Sequence, residues 1–248
     1  MGAPNCCDTP TQTINYASCH DNLALFDKIT LSTAQLTEVD RLKMNNLSAA
    51  IVMTSQGVPF FQAGEEILRS KPDGKGGYDH NSYKSSDAVN SIKWDNLNTQ
   101  AYSDSYTYYQ GLIAFRKAHP ILRLTTAEAV NAAVTVMEDL DSNVNAFHIN
   151  GGEIDDDLFI IFNPRKESTT VTLPDGKWDV YVDSVNAGTT MLRTVEGSVT
   201  VDAISAMILV AAKPTTNHFW LFVAIGAGVL VLAGAAVTTV IIIKKCKK

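Results

Sequence analysis

A chain of 248 residues has room for one large domain or two modest ones. Its 20 basic and 26 acidic side chains leave a net charge of −6. No broad basic tract lies outside the last five residues, which speaks against nucleic acid as a partner. Four cysteines, Cys6, Cys7, Cys19 and Cys246, show no C-x-x-C or other metal-ligand spacing, and no metal or cofactor is expected.

The opening MGAPNCCDTPTQ has neither the basic start nor the apolar core of a secretory leader, and residues 1–12 read as an unstructured start. Residues 13–28, TINYASCHDNLALFDK, begin with β character at Ile14, Tyr16 and Ala17 and then bring His20, Asp21 and Asn22 together. An apolar strand ending in His, Asp and Asn suits the rim of a parallel barrel, where the strand body is packed and its C-terminal end faces a ligand. The same residues also suit an ordinary strand-to-loop junction, where Asp and Asn turn the chain. Ser32 followed by Gln35 predicts a capping box. Leu36, Val39, Leu47, Ala50 and Ile51 then recur on one helical face to about Thr54, with Gly57 as the C-cap. Val58, Pro59, Phe60 and Phe61 read as a short buried strand, so the order is strand, helix, strand, as in a βαβ unit. It ends in Gln62-Ala63-Gly64-Glu65-Glu66. These acids suit either a rim or a hydrated loop or helix N-terminus, and neither is assigned as a catalytic acid.

Residues 69–96 form a long loop rich in Gly, Ser, Asp and Asn, of the length that is functional or disordered. Tyr78, His80, Tyr83 and Trp94 alternate there with amides, a composition suited to stacking on sugar rings and bonding hydroxyls. A helix is predicted over 105–119 and stopped by Pro120. Beyond Leu124 come β-rich runs at 133–138, 144–149, 158–162, 169–173, 178–182, 198–201 and 206–211. Turn signals punctuate them at the spacing of an all-β sandwich. Asp155-Asp156-Asp157 lacks calcium-loop spacing and reads as a solvated turn. The run 219–243, opening on Phe219 and ending on Ile243, has no charge and no proline, enough to span a bilayer core of about 30 Å. The lysines that follow, at 244–248, predict a cytoplasmic tail, with everything before the span extracellular or lumenal.

SCHDNLALFDK followed by SQGVPFFQAGEE resembles the type I pullulanases, the α-1,6 debranching branch of the α-amylase glycoside hydrolase family. The similarity covers roughly residues 13–210. It implies a fold of mixed α/β plus all-β class, the last two strand–helix units of a (β/α)8 barrel (13–122) followed by a C-terminal β-sandwich (123–213), to which the apolar run adds one transmembrane helix (217–243). By resemblance Asp21 is the carboxylate that steadies the oxocarbenium-like transition state, and His20 hydrogen-bonds the sugar beside the cleaved bond. Ala24 and Phe26 depart from the Thr and Trp of that pattern. Gly57, Pro59, Gly64 and Glu66 match the eighth-strand motif. The DHNSY and SSDAVN segments resemble the loop lining the donor-side subsites, which makes Asn81, Asp87 and Asn90 candidate substrate ligands. The implied partner is an α-glucan of the starch or glycogen type. A retaining mechanism needs two carboxyl groups about 5 Å apart. In the family these stand on strands four and five, which here would fall upstream of Met1, so the chain alone is expected to be inactive. The alternative is a non-catalytic surface glucan-binding protein or a truncated remnant.

Overall fold

The computed structural model describes residues 9–19 and 22–213. Order begins before position 13, because Pro10–Gln12 form a 3-10 turn capped reciprocally by Thr9 and Gln12. Strand β1 (Ile14–Asn15) pairs in parallel with β2 (Val58–Pro59), Ile14 opposite Val58. Two more backbone bonds prolong the ladder, Val58 N–H to the Thr13 carbonyl at 3.0 Å and Phe60 N–H to the Asn15 carbonyl at 2.9 Å. The predicted βαβ order is present, but its crossover holds two helices, α1 (Leu25–Ser32) and α2 (Glu38–Thr54). Ser32 is therefore the last residue of α1 and not an N-cap. The cap of α2 is Thr37, whose hydroxyl accepts from Asp40 N–H at 3.1 Å. Val39, predicted on the buried face, lies in the first turn of α2 and is 64% exposed.

Helix α2 ends at Thr54 as predicted, but Ser55 rather than Gly57 is its C-cap. Gly57 has φ 99° and sits at the entry to β2, where an added Cβ would lie 2.2 Å from Thr13 Oγ1 and 2.8 Å from the Pro10 carbonyl. Only glycine fits both the left-handed backbone and that close approach. Arg116 takes carbonyls at the C-terminal end of α2 and along the segment that leads from it to β2. This buried guanidinium donates to the carbonyls of Met53 (2.7 Å), Ser55 (2.8 Å) and Gly57 (2.8 Å). Arg116 belongs to α4 (Gln100–Ala118), which starts five residues before its predicted beginning at 105 and stops at Pro120 as predicted. Burial brings its guanidinium down to about 10, so it stays charged at neutral pH.

After α5 (Ala127–Ala133) the β-rich region forms strands β3 (Val134–Val136), β4 (Asn145–Ile149), β5 (Leu158–Asn163), β6 (Thr169–Val182), β7 (Arg193–Val201) and β8 (Ser205–Ala211). They make one six-stranded antiparallel sheet in the order β3-β4-β5-β8-β6-β7, not the separate sheets of a sandwich. The runs 169–173 and 178–182 merge into a single strand of 14 residues. Asp175-Gly176, one of the Asp-Gly turn signals between those runs, is instead absorbed in a bulge where the register shifts between Thr172 and Lys177. Because β6 pairs with both β7 and β8, the sheet is never interrupted.

The regions on either side of residue 122 pack on each other. Leu47, Ala50 and Met53 of α2 and Leu112 and Phe115 of α4 share one core with Phe147, Ile149, Leu158, Ile160 and Phe162 of the sheet. The opposite face of β5, Phe159 and Ile161, packs with Val171, Trp178, Val199 and Leu209 in a second core. Asp155 and Asp157 are not a solvated turn: Asp155 takes His119 Nδ1 at 3.1 Å, and Asp157 takes His148 Nε2 at 3.1 Å and Gly151 N–H at 2.9 Å. Among the described residues no helix is long and apolar enough to cross a membrane. The predicted span, 219–243, and the lysine-rich tail lie outside the described residues.

Candidate functional site

The chain leaves the C-terminal ends of β1 and β2 side by side, through Tyr16-Ala17-Ser18-Cys19 and Phe60-Phe61-Gln62-Ala63 respectively. A buried polar clasp joins the two exits. Ser18 donates its hydroxyl to Glu65 Oε1 at 2.5 Å, and the same oxygen accepts Gln62 N–H at 3.2 Å. Asn45 of α2 reaches into the clasp, donating to the Tyr109 hydroxyl at 3.0 Å and the Glu65 carbonyl at 3.3 Å. Glu65 is thus not in a hydrated loop: it is 3% exposed, and burial pushes its carboxyl above the usual range. Burial, reinforced by the Glu65 charge, likewise holds the Tyr109 phenol well above its ordinary value. Glu66 fits its helix-start reading, its Oε2 accepting Gly64 N–H at 2.9 Å at the head of the 3-10 turn Glu65–Ile67.

His20 and Asp21 lie outside the described residues. They are bracketed by Cys19 on the β1 side and by Asn22, which stands at φ 71° and accepts Leu23 N–H on its own Oδ1 at 2.9 Å.

The long loop is ordered by a second buried cluster. Asp27 of α1 accepts Lys71 N–H at 2.8 Å, and Lys71 Nζ donates to the Ser82 hydroxyl at 2.8 Å. Burial raises the Asp27 carboxyl and lowers the Lys71 ammonium, as expected for charges held away from water. Arg69 ties the loop to the rim by donating to the Ala63 carbonyl at 3.0 Å and to the Asn90 carbonyl. Asn81 is exposed, its N–H bonded to Asp79 Oδ1 at 2.9 Å. Asp87 is exposed at the start of the short helix α3 (Asp87–Asn90). Asn90 is different: its amide donates to the carbonyls of Ser82 (2.6 Å) and Ser85 (3.0 Å), holding the loop together and leaving less to offer a ligand. Trp94 and Tyr83, at 58% and 74% exposure, present rings to solvent.

The sequence reading missed the clasp and the Asp27–Lys71–Ser82 cluster, whose members sit far apart in the chain with no motif to mark them. Among the described residues no group of His, Cys, Asp and Glu is placed to hold a metal ion.

A parallel strand pair with braced exits, a loop of exposed aromatics and amides tied to it, and an antiparallel sheet packed behind the helices make a chain that is similar, in sequence and in fold, to part of the pullulanases. Residues 130–186 match the family model described as pullulanase, all-beta domain. The chain is 32% identical over 169 residues to the pullulanase of Bacillus subtilis (strain 168), covering 67% of this chain and 22% of that one. The solved pullulanase from Bacillus acidopullulyticus matches with a TM-score of 0.76 at 39% identity, over 82% of this chain and 24% of that chain. A pullulanase structure from Paenibacillus barengoltzii in complex with maltohexaose and alpha-cyclodextrin matches with a TM-score of 0.69 at 33% identity, over 83% and 30%. The chain therefore spans between 22% and 30% of the length of these relatives.

Proposed function

We propose that the rim at the ends of β1 and β2 is one side of an α-glucan site of a debranching, pullulanase-like hydrolase, built on the last two strand–helix units of a (β/α)8 barrel. The observation that carries this reading is the Ser18–Glu65 clasp. It fixes the exit that leads into His20 and Asp21 against the exit that leads into the aromatic loop. In this reading Asp21 stabilises positive charge developing on the sugar, His20 hydrogen-bonds the ring beside the cleaved bond, and Trp94, Asn81 and Asp87 line the donor side. Asn90 acts on the loop's shape. The maltohexaose complex of the Paenibacillus barengoltzii relative supports a maltooligosaccharide as ligand.

Cleavage with retention needs a nucleophile and an acid/base carboxyl about 5 Å apart. The rim acids seen here, Glu65 and Glu66, are committed to the clasp and to the turn. The 248-residue chain accordingly binds glucan without cleaving it, and works as a hydrolase only with carboxylates supplied by further barrel strands. Residues 219–243 anchor it in a membrane, with the rim on the extracellular or lumenal side; this rests on the sequence pattern alone. The test is calorimetric titration of the purified chain with maltohexaose, in micelles of a non-sugar detergent, beside a reducing-sugar assay on pullulan. Binding that Trp94→Ala and Asp21→Asn each weaken about tenfold, with no release of reducing ends, is the expected result. Absence of binding, or binding indifferent to both substitutions, would sink the proposal.

A further inference from the structure

A second concave site lies away from the rim. A cleft of about 560 Å³ opens between the β3–β4 turn and the first half of β6. That volume is ordinary for a small-molecule site, which takes roughly 300–1,000 Å³. Met137, Leu140, Val171 and Leu173 form its apolar lining, and all four belong to or pack against the second core. Thr170, Thr172 and Glu138 stand at its rim, the Thr170 hydroxyl lying 3.4 Å from that of Thr200.

The walls are built rather than incidental. Asp141, at the tip of the β3–β4 turn, accepts the Thr169 hydroxyl at 2.6 Å and the Arg165 guanidinium, which staples the turn to the start of β6. His148 closes one end. Its Nε2 lies 3.1 Å from Asp157 Oδ2, and its ring stands edge-on to Trp178 at 5.8 Å.

The lining chooses the ligand class. No lysine or arginine lines the cleft, Glu138 and Asp139 stand at it and Asp141 is paired with Arg165, so phosphorylated or carboxylated ligands are disfavoured. Hydroxyls and carboxylates over an apolar floor suit a neutral polyol with one apolar face, which describes a pyranose ring. We infer that this cleft is a second glucan-binding site, taking glucose units of an α-glucan chain apart from the rim. The inference borrows its ligand from the proposed function but rests on different residues.

The experiment is titration of the full chain with maltohexaose, in non-sugar detergent micelles, comparing wild type, Thr172→Trp and Trp94→Ala. Wild type is expected to bind two oligosaccharides. Thr172→Trp, which crowds the rim of the cleft, removes one and leaves the other within about twofold of its affinity, while Trp94→Ala weakens only the other. A single wild-type site that Trp94→Ala weakens and Thr172→Trp spares overturns the inference and leaves the rim reading intact. A single site lost in Thr172→Trp and indifferent to Trp94→Ala overturns the rim reading and upholds the cleft. Hydroxyl-radical footprinting of the wild-type chain gives an independent check should Thr172→Trp fail to fold. Saturating maltohexaose should cut oxidation of Met137 and His148 at least about twofold, and unchanged oxidation overturns the inference.

Discussion

Replacing Arg116 with Met keeps most of its buried length and removes the guanidinium. Three carbonyls, those of Met53, Ser55 and Gly57, then lose donors that now lie 2.7, 2.8 and 2.8 Å away. A buried acceptor left without a partner costs about 1–3 kcal/mol. Taking the low end of that range for each of the three gives about 3 kcal/mol in all. With a urea slope of about 2 kcal/mol per M for a domain of this size, the midpoint should fall by about 1.5 M with the slope unchanged. Arg116→Lys keeps one charged donor but cannot reach three carbonyls, and should lose about half as much. The assay is urea unfolding of the chain followed by far-ultraviolet circular dichroism. A midpoint shift under about 0.5 M for Arg116→Met would refute the claim that this one cation ties α2 to the entry of β2.

Three further substitutions probe the rim and its loop. The Glu65 carboxyl is raised by burial, so the folded chain holds its proton longer than the unfolded chain does. That contribution is present below the ordinary carboxyl range and is lost as pH rises through the raised value. Stability measured from pH 4 to pH 8 should therefore fall less steeply in Glu65→Gln than in wild type, and parallel curves would contradict the buried clasp. Gly57→Ala forces a left-handed alanine against Thr13 and the Pro10 carbonyl and should cost more than about 1 kcal/mol, read as a drop in Tm of several degrees. Asn90→Ala should expose the 69–98 segment to limited proteolysis while maltohexaose affinity changes by less than about threefold. A large affinity loss with an intact loop would instead restore Asn90 as a direct ligand.

Much of this fold could be read in advance, for definite reasons. Helix α2 ended where its apolar repeat ended, Pro120 closed α4, and β4, β5 and β8 are dense apolar runs with clear turns around them. The errors have physical causes too. Ser32-x-x-Gln35 has the letters of a capping box but sits at the end of α1, a helix whose short LFDKITLS sequence carries too little periodicity to announce itself. Asp175-Gly176 has the letters of a turn, yet a bulge carries β6 straight through it and turns an expected sandwich into one sheet. That the two paired strands run out into polar exits was legible from the acids and amides following the apolar runs. The clasp between them was not, because Ser18, Asn45, Glu65 and Tyr109 meet only through the tertiary fold. Asp155 misled for the opposite reason: three consecutive acids look hydrated in sequence, whereas the chain folds a histidine onto the first.

The claim that the rim holds a glucan is tested most directly by amide hydrogen exchange on the whole chain, with and without saturating maltohexaose. The account predicts slowed exchange in two places, the β1 and β2 exits at residues 16–19 and 60–66 and the loop at 78–94. Exchange unchanged at both exits, with the sugar demonstrably bound, would contradict it.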